Sequence, residues 1–366
     1  MIIYLYVNNY KSLVNIRIDF SAISVLIGQN GTGKTAVFDV LYSLKSFIMG
    51  GRSTDIFKAA SLTRWMKSSI QTFEIGMNIK NKEYVYHLEL EYTTVGQCLV
   101  VSEVVKYEGS GIFSAQNGSV SIRDDGASPG IEFRVDRSFS GLSSVLDGMP
   151  YQNILSFKQG ISNLLLCKVN PYMKDQVTME MPYPDVQFTN IGEVISYLSQ
   201  IRPDIMVDLW NRLHEVNPAF VRLRIDMGAY GKHVVADYRY NDIPVTYYFS
   251  ELSEGERMLT VLYLLLFGYL QAGYTVFIDE PDNYVSLREI HPWCSEVDEI
   301  VSENDGQCIM ITHHPEIINY FAGNSGIWMA RISSGETIIK SKPAIEGNGD
   351  FLKYSELITG GYLDEI

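Results

Sequence analysis

Residues 23–35 read Ile-Ser-Val-Leu-Ile-Gly28-Gln29-Asn30-Gly31-Thr32-Gly33-Lys34-Thr35. The apolar run 23–27 has the character of a strand buried on both faces. The next eight residues satisfy G-x-x-x-x-G-K-[ST] without a mismatch, and 36–48 continue with helical spacing. Each part has a physical task. Glycines let successive backbone N–H groups curl inward toward phosphate oxygens, a conformation that side chains obstruct. A helix starting near Lys34 aims its positive end at the same oxygens. Lys34 can reach the β- and γ-phosphates, and the Thr35 hydroxyl can ligate Mg²⁺. The pattern predicts a nucleoside triphosphate site on residues 28–35.

Downstream, Tyr274-Thr275-Val276-Phe277-Ile278-Asp279-Glu280-Pro281 is an apolar strand ending in two acids. Asp279 suits a water-mediated hold on Mg²⁺, and Glu280 suits orienting and deprotonating an attacking water. Many buried strands end in a solvated carboxylate, so this stretch alone decides little. Ahead of it lies Glu251-Leu252-Ser253-Glu254-Gly255-Glu256-Arg257, leading into a long apolar helix. Ser253 at the N-cap with Glu256 three residues on is a capping box. The same Leu-Ser-x-Gly-Glu is also the ABC-type signature, in which Ser253 and the first amides grip a γ-phosphate held by a second subunit. After the acids, Ile311-Thr312-His313-His314-Pro315-Glu316 closes another short apolar strand. His313, directly after Thr312, is the expected γ-phosphate sensor; His314 is the alternative.

The rest of the composition narrows the class. The 366 residues carry 29 Lys+Arg against 43 Asp+Glu, a formal charge of −14, with 46% hydrophobic residues. That is an ordinary globular mixture with a normal core, and it argues against a chain coated in phosphate-binding residues. Four scattered cysteines, Cys98, Cys167, Cys294 and Cys308, form no CxxC pair and read as reduced core residues. No basic region precedes an apolar stretch at the N-terminus, so no signal peptide is expected. Residues 258–278 are uncharged and long enough to cross a bilayer, but Gln271-Ala272-Gly273 interrupts them. A buried helix to about residue 270 followed by a strand is the better parse. A soluble, cytoplasmic protein without a membrane partner is expected.

Together with Asn9-Tyr10-Lys11-Ser12, these motifs resemble the standalone ABC ATPases related to SMC proteins, RecF and the overcoming-lysogenization-defect nucleases. The resemblance runs from residue 1 to about 330. It is strongest to the ATPase components of antiphage systems such as Septu and PARIS. It implies an α/β P-loop fold of ABC type, with a mixed-sheet core, an antiparallel β-subdomain, a helical lobe and no long coiled coil. ATP and Mg²⁺ are the implied cofactors. Lys11, Ser12, Ser253, Gly255 and Glu256 join residues 28–35 as ATP contacts. Gln71 sits where such proteins keep a glutamine that touches the metal beside Thr35 and Asp279, with a surface glutamine as the plain alternative. The sequence departs from the relatives after Pro281. They continue Glu-Asn-x-Leu-His-Pro; this chain has Asp282-Asn283-Tyr284-Val285-Ser286, which leaves the turnover rate open.

The middle fits that division. Residues 73–79 and 84–92 alternate as strands around an Asn81-Lys82 turn, and 109–130 are expected as a loop or loose hairpin. Residues 142–215 read as helical, clearest at 191–201 and 205–216, without a heptad repeat. Residues 221–240 return to alternation. The expected segments are 1–70 (core with phosphate loop), 71–140 (β-subdomain), 141–220 (helical lobe) and 221–366 (core with signature, acids and histidine). Residues 1–70 hold eight Lys/Arg against three acids, net +5, leaving −19 elsewhere. Lys58, Arg64 and Lys67 with Trp65 could therefore touch DNA or an acidic partner, although such a helix is more often merely solvated.

The expected function is a nucleotide-driven switch. Two copies would sandwich two ATP and control a separate effector, a nuclease in antiphage defence, with room for a higher oligomer. No acidic cluster of TOPRIM type and no HNH-like grouping supplies a second chemistry in this chain. A RecF-like DNA clamp and an ATP-binding scaffold with little turnover are the alternatives.

Overall fold

The computed structural model describes residues 1–124, 130–228, 231–342 and 353–359. Part of the expected 109–130 loop and much of the C-terminal tail lie outside them. The chain divides into two compact units, Met1–Leu164 with Ser325–Ile366, and Leu165–Asn324.

In the first unit an antiparallel sheet runs in the order Ile16–Asp19, Ile2–Asn8, Ile70–Ile79, Lys82–Tyr92, Cys98–Tyr107, Ser110–Gln116, Ser119–Ile122, Ile131–Arg134. Period-two patterning builds it: Tyr84, Tyr86, Leu88, Leu90 and Tyr92 are buried while the residues between them are half-buried. The hairpin turn falls on Lys80-Asn81, one residue before the expected pair. Both have positive φ (51° and 61°), as a two-residue turn matching the strand twist requires. Residues 110–122 form a further hairpin of this sheet. The two N-terminal strands pair into it as well, so the antiparallel layer starts at residue 2 rather than 71.

The fully buried strand Ile23–Ile27 belongs to a separate layer of this unit. It pairs in parallel with Gly326–Arg331, which pairs antiparallel with Thr337–Lys340. Helix Lys34–Ile48 follows it and buries Val37, Phe38, Val40, Leu41, Leu44 and Phe47 on one stripe.

The second unit contains the parallel pair Thr275–Asp279 and Gln307–Ile311, joined through helix Leu287–Glu303. Helix Glu254–Leu265 continues through the π-helical turn Leu266–Leu270 before that pair, and all of 258–270 is buried. Among the described residues no helix is long and apolar enough to cross a membrane. Helices Ile191–Ile201 and Pro203–Val216 appear as the periodicity predicts. Phe220–Gly228 and Gly231–Tyr240 pair antiparallel, with Ile243–Tyr248 and the short Gln176–Val177 also on the latter strand. The expected helical lobe is thus interrupted, because 164–167 and 176–177 supply strands. Among the described residues the longest helix, Leu287–Glu303, has 17 residues, so no long coiled coil is present there. All four cysteines are buried thiols outside any disulfide; burial pushes the Cys98 thiol up to about 11 and the Cys294 and Cys308 thiols up to about 12.

Candidate nucleotide site

The buried strand Ile23–Ile27 delivers the glycine loop to the N-terminus of helix Lys34–Ile48. Gly31 and Gly33 have φ of 82° and 98°, the left-handed region that side chains disfavour. A Cβ on Gly28 would stand 2.3 Å from the Met329 carbonyl oxygen. One on Gly33 would stand 2.8 Å from Thr337 Oγ1 and 3.0 Å from Ser12 Oγ. Close backbone approach, not flexibility, is what these glycines supply. Lys34 is only 5% exposed, and its ammonium donates to the carbonyls of Gly28 (2.7 Å) and Gln29 (2.9 Å). Curled over the loop in this way, it is positioned to give the same donors to phosphate oxygens. Thr32 Oγ1 donates to the Gln29 carbonyl (2.8 Å), closing the turn. Gln29, Asn30, Gly31 and Thr35 face solvent. A cradle that a Cβ would fill, with a buried ammonium and a helix N-terminus, fits a triphosphate; the exposed Thr35 hydroxyl fits its magnesium ion.

Lys11 and Ser12 lie beside this loop, although their bonds run elsewhere. Lys11 Nζ pairs with Asp39 Oδ2 at 2.7 Å. Ser12 is buried, and Thr337 Oγ1 meets its Oγ at 2.8 Å while donating to the Thr32 carbonyl at 2.9 Å. For Gln71 the structure overturns the surface alternative. It is fully buried, not on the surface. Its amide donates to Asn9 O (2.8 Å) and Ser61 Oγ (3.1 Å), and its carbonyl accepts from the Tyr92 hydroxyl (2.7 Å). With both ends of the carboxamide engaged, Gln71 braces the 9–12 turn, where Asn9 and Lys11 take positive φ (64° and 52°).

The second unit holds the remaining motifs. Asp279 ends its strand opposite Ile311, with Lys168 Nζ 3.6 Å from its Oδ2. Glu280 takes φ 57°, a costly conformation for a side-chain-bearing residue, pinned by its N–H donating to Ile311 O at 2.8 Å. Its side chain is exposed. Asn283 Nδ2 donates to Glu280 Oε2 at 2.8 Å. Thr312 Oγ1 donates to Asp282 Oδ1 at 2.6 Å and accepts the His314 N–H at 2.9 Å. His314 Nδ1 in turn accepts from the Glu316 N–H (3.2 Å) at the start of helix Pro315–Ser325, whereas His313 is exposed. Of the two histidines, His314 serves the helix start and His313 is presented outward.

The signature is a capping box, as its spacing predicts. Ser253 Oγ accepts from the Glu256 N–H (3.3 Å), while Glu256 Oε2 accepts from Ser253 N–H (3.1 Å) and Oγ (2.8 Å). Glu256 Oε1 takes Tyr238 OH (3.1 Å) and Asn217 Nδ2 (3.3 Å), so Glu256 fastens the turn instead of facing solvent with a free carboxylate. A Cβ on Gly255 would stand 2.9 Å from the Tyr284 carbonyl oxygen, which brings the departing 282–286 loop against the signature. Sequence reasoning passed over three residues: Lys168, Asp282 and Asn283. Asp282 and Asn283 stood within the loop flagged as unusual, but nothing in the sequence signals Lys168.

Residues 1–134 match the model of the AAA ATPase domain. No curated protein matches the chain in sequence. Among solved structures, an SMC head bound to the C-terminal winged-helix domain of ScpA is similar at TM-score 0.56 and 14% identity, covering 93% of this chain and 98% of that one. The SMC head domain from Thermotoga maritima gives 0.50 at 14% identity, over 94% and 99% of the two chains. An SMC head with an extended coiled coil, bound to the C-terminal domain of ScpA and derived from Pyrococcus furiosus, gives 0.50 at 11%, over 93% and 96%. The fold is like that of an SMC head, and residues 1–134, which hold the phosphate loop, match an AAA ATPase domain.

Proposed function

We propose that this ATPase is a nucleotide-driven dimer switch governing a separate effector protein. Residues 28–35 hold the triphosphate, with Lys34 on its oxygens. Magnesium held by Thr35 would offset charge on the phosphates. Glu280 accepts the proton of the attacking water through Oε1, the oxygen not bonded to Asn283, and His313 senses the γ-phosphate. Ser253 and Gly255 of a second copy close the sandwich. The observation that carries this reading is the signature turn: an exposed helix start whose serine and glycine are fixed by Glu256 and the 282–286 loop. Such a rigid, exposed helix start, with its positive dipole end at the surface, suits an anionic ligand brought by another molecule. Two of the similar SMC heads are bound to a domain of ScpA, which supports a protein partner on this fold. Antiphage defence with a nuclease effector is the setting to which the resemblance points.

The test is the native mass of Glu280→Gln with and without ATP. A doubling with ATP, lost on Ser253→Arg, supports the switch. A monomer at saturating ATP overturns it. A change in the stoichiometry of a co-purified effector on adding ATP is the further expected result. The exposed Lys58, Arg64 and Lys67 favour the second reading, a DNA clamp. That reading requires duplex affinity falling steeply with salt.

A further inference from the structure

The sequence singles out Trp65 within a basic stretch, and nothing in the switch reading uses it. Trp65 is 44% exposed, whereas Trp293 and Trp328 are buried and Trp210 is half-buried. An indole left this open keeps a flat apolar surface available to a planar ligand. Its neighbours say what. The Arg331 guanidinium lies 6.0 Å from the Trp65 ring centroid, and Arg331 Nε donates to the Gly335 carbonyl at 3.0 Å. Gly335, at φ 92°, lets the turn after Arg331 pass so close to the ring that an added Cβ would stand 3.2 Å from it. The other side of Arg331 reaches the phosphate loop: a Cβ on Gly31 would stand 3.9 Å from Arg331 Nη1. One arginine therefore lies close to both the phosphate loop and an exposed indole.

We propose that Trp65 and Arg331 form the stacking platform for the purine ring of the nucleotide whose phosphates occupy residues 28–35. This rests on the nucleotide reading of that loop. An indole and a planar guanidinium each offer a flat π surface to a base, and stacking of this kind holds a nucleobase without reading its edge. Arg331 is fixed by the Gly335 carbonyl and Trp65 by the glycine turn, so both surfaces are preorganised. The exposed Lys58, Arg64 and Lys67 nearby in sequence make single-stranded nucleic acid the competing occupant.

The experiment titrates the full chain with Mg-ATP and, separately, with inorganic tripolyphosphate, by calorimetry and by tryptophan fluorescence. ATP is expected to quench the emission, and tripolyphosphate to bind without quenching. Trp65→Leu should weaken ATP about tenfold and leave tripolyphosphate affinity unchanged. Trp65→Tyr should restore most of the loss, and Arg331→Met should reproduce it without touching the indole. Unchanged ATP affinity in both Trp65→Leu and Arg331→Met overturns the platform, as does an equal loss for ATP and tripolyphosphate. Quenching by a single-stranded oligonucleotide but not by ATP also overturns it and assigns the surface to nucleic acid. A wild-type chain that binds neither ATP nor tripolyphosphate overturns the nucleotide reading beneath it instead.

Discussion

The side-chain amide of Asn283 donates a 2.8 Å hydrogen bond to Oε2 of Glu280, three residues back along the chain. Glu280 already sits at positive φ, held there by the Ile311 carbonyl, so its carboxylate is fixed at both the backbone and one oxygen. Orientation of a general base is worth as much as its presence, since a misdirected lone pair cannot meet the proton. Asn283→Ala should lower ATP turnover about tenfold, ~1.4 kcal/mol of barrier, with ATP affinity unchanged. Steady-state hydrolysis and equilibrium binding measured side by side check this. A wild-type rate would reduce the bond to loop packing.

Lys34→Ala separates binding from folding. The ammonium is buried on two loop carbonyls, so its removal leaves the loop without its charge, while the close backbone approaches at Gly28 and Gly33 remain. Charge-assisted bonds to phosphate are worth about 1.5–3 kcal/mol, which predicts roughly a hundredfold loss of ATP affinity. Calorimetric titration reads that loss, and the circular dichroism spectrum should stay that of the wild type. Normal affinity would remove the loop from the site.

Gly255→Ala tests the contact between signature and loop. The new methyl has 2.9 Å to the Tyr284 carbonyl oxygen, and the obstacle is backbone, so one of the two segments must shift. The expected result is loss of the ATP-dependent dimer in Glu280→Gln/Gly255→Ala, with single-site ATP binding kept. Light scattering with and without ATP decides it. A dimer as stable as that of the parent would show that the signature tolerates displacement.

The fold is legible in the sequence wherever the pattern is local. The phosphate loop, the capping box at Ser253 and Glu256, and the alternation from Tyr84 to Tyr92 announce themselves through spacing alone. What escapes is pairing at a distance. Lys168 meets Asp279 across more than a hundred residues, and Arg331 meets Trp65 across still more. Neither pair has a periodic signature, because tertiary contact, not propensity, brings it together. Gln71 shows a different limit. Its position suggests either a metal contact or a surface residue, and the structure buries it with its amide on Asn9 and Ser61 and its carbonyl on Tyr92. Sequence gives the residue type, but only the packing shows which groups its polar atoms serve.

Glu103 predicts a pH dependence that lies outside the nucleotide chemistry. It is fully buried on strand Cys98–Tyr107 and accepts from Tyr86 OH (3.0 Å), the Gly141 N–H (2.8 Å) and the Ser140 hydroxyl. Burial pushes its carboxyl from 4.5 up to about 7, although the three donors pull the other way. The folded chain therefore keeps this proton between those values while the unfolded chain has lost it. Stability must fall as pH rises through that window and level off above it, by about 3 kcal/mol in all. This slope has the opposite sign to that of an ion-paired carboxylate. Urea unfolding of the full chain between about pH 5 and about pH 8 measures it, and Glu103→Gln, neutral throughout, should flatten the profile. A midpoint that instead rises with pH across the window would mean that the three donors outweigh burial and the buried group is folded as a carboxylate.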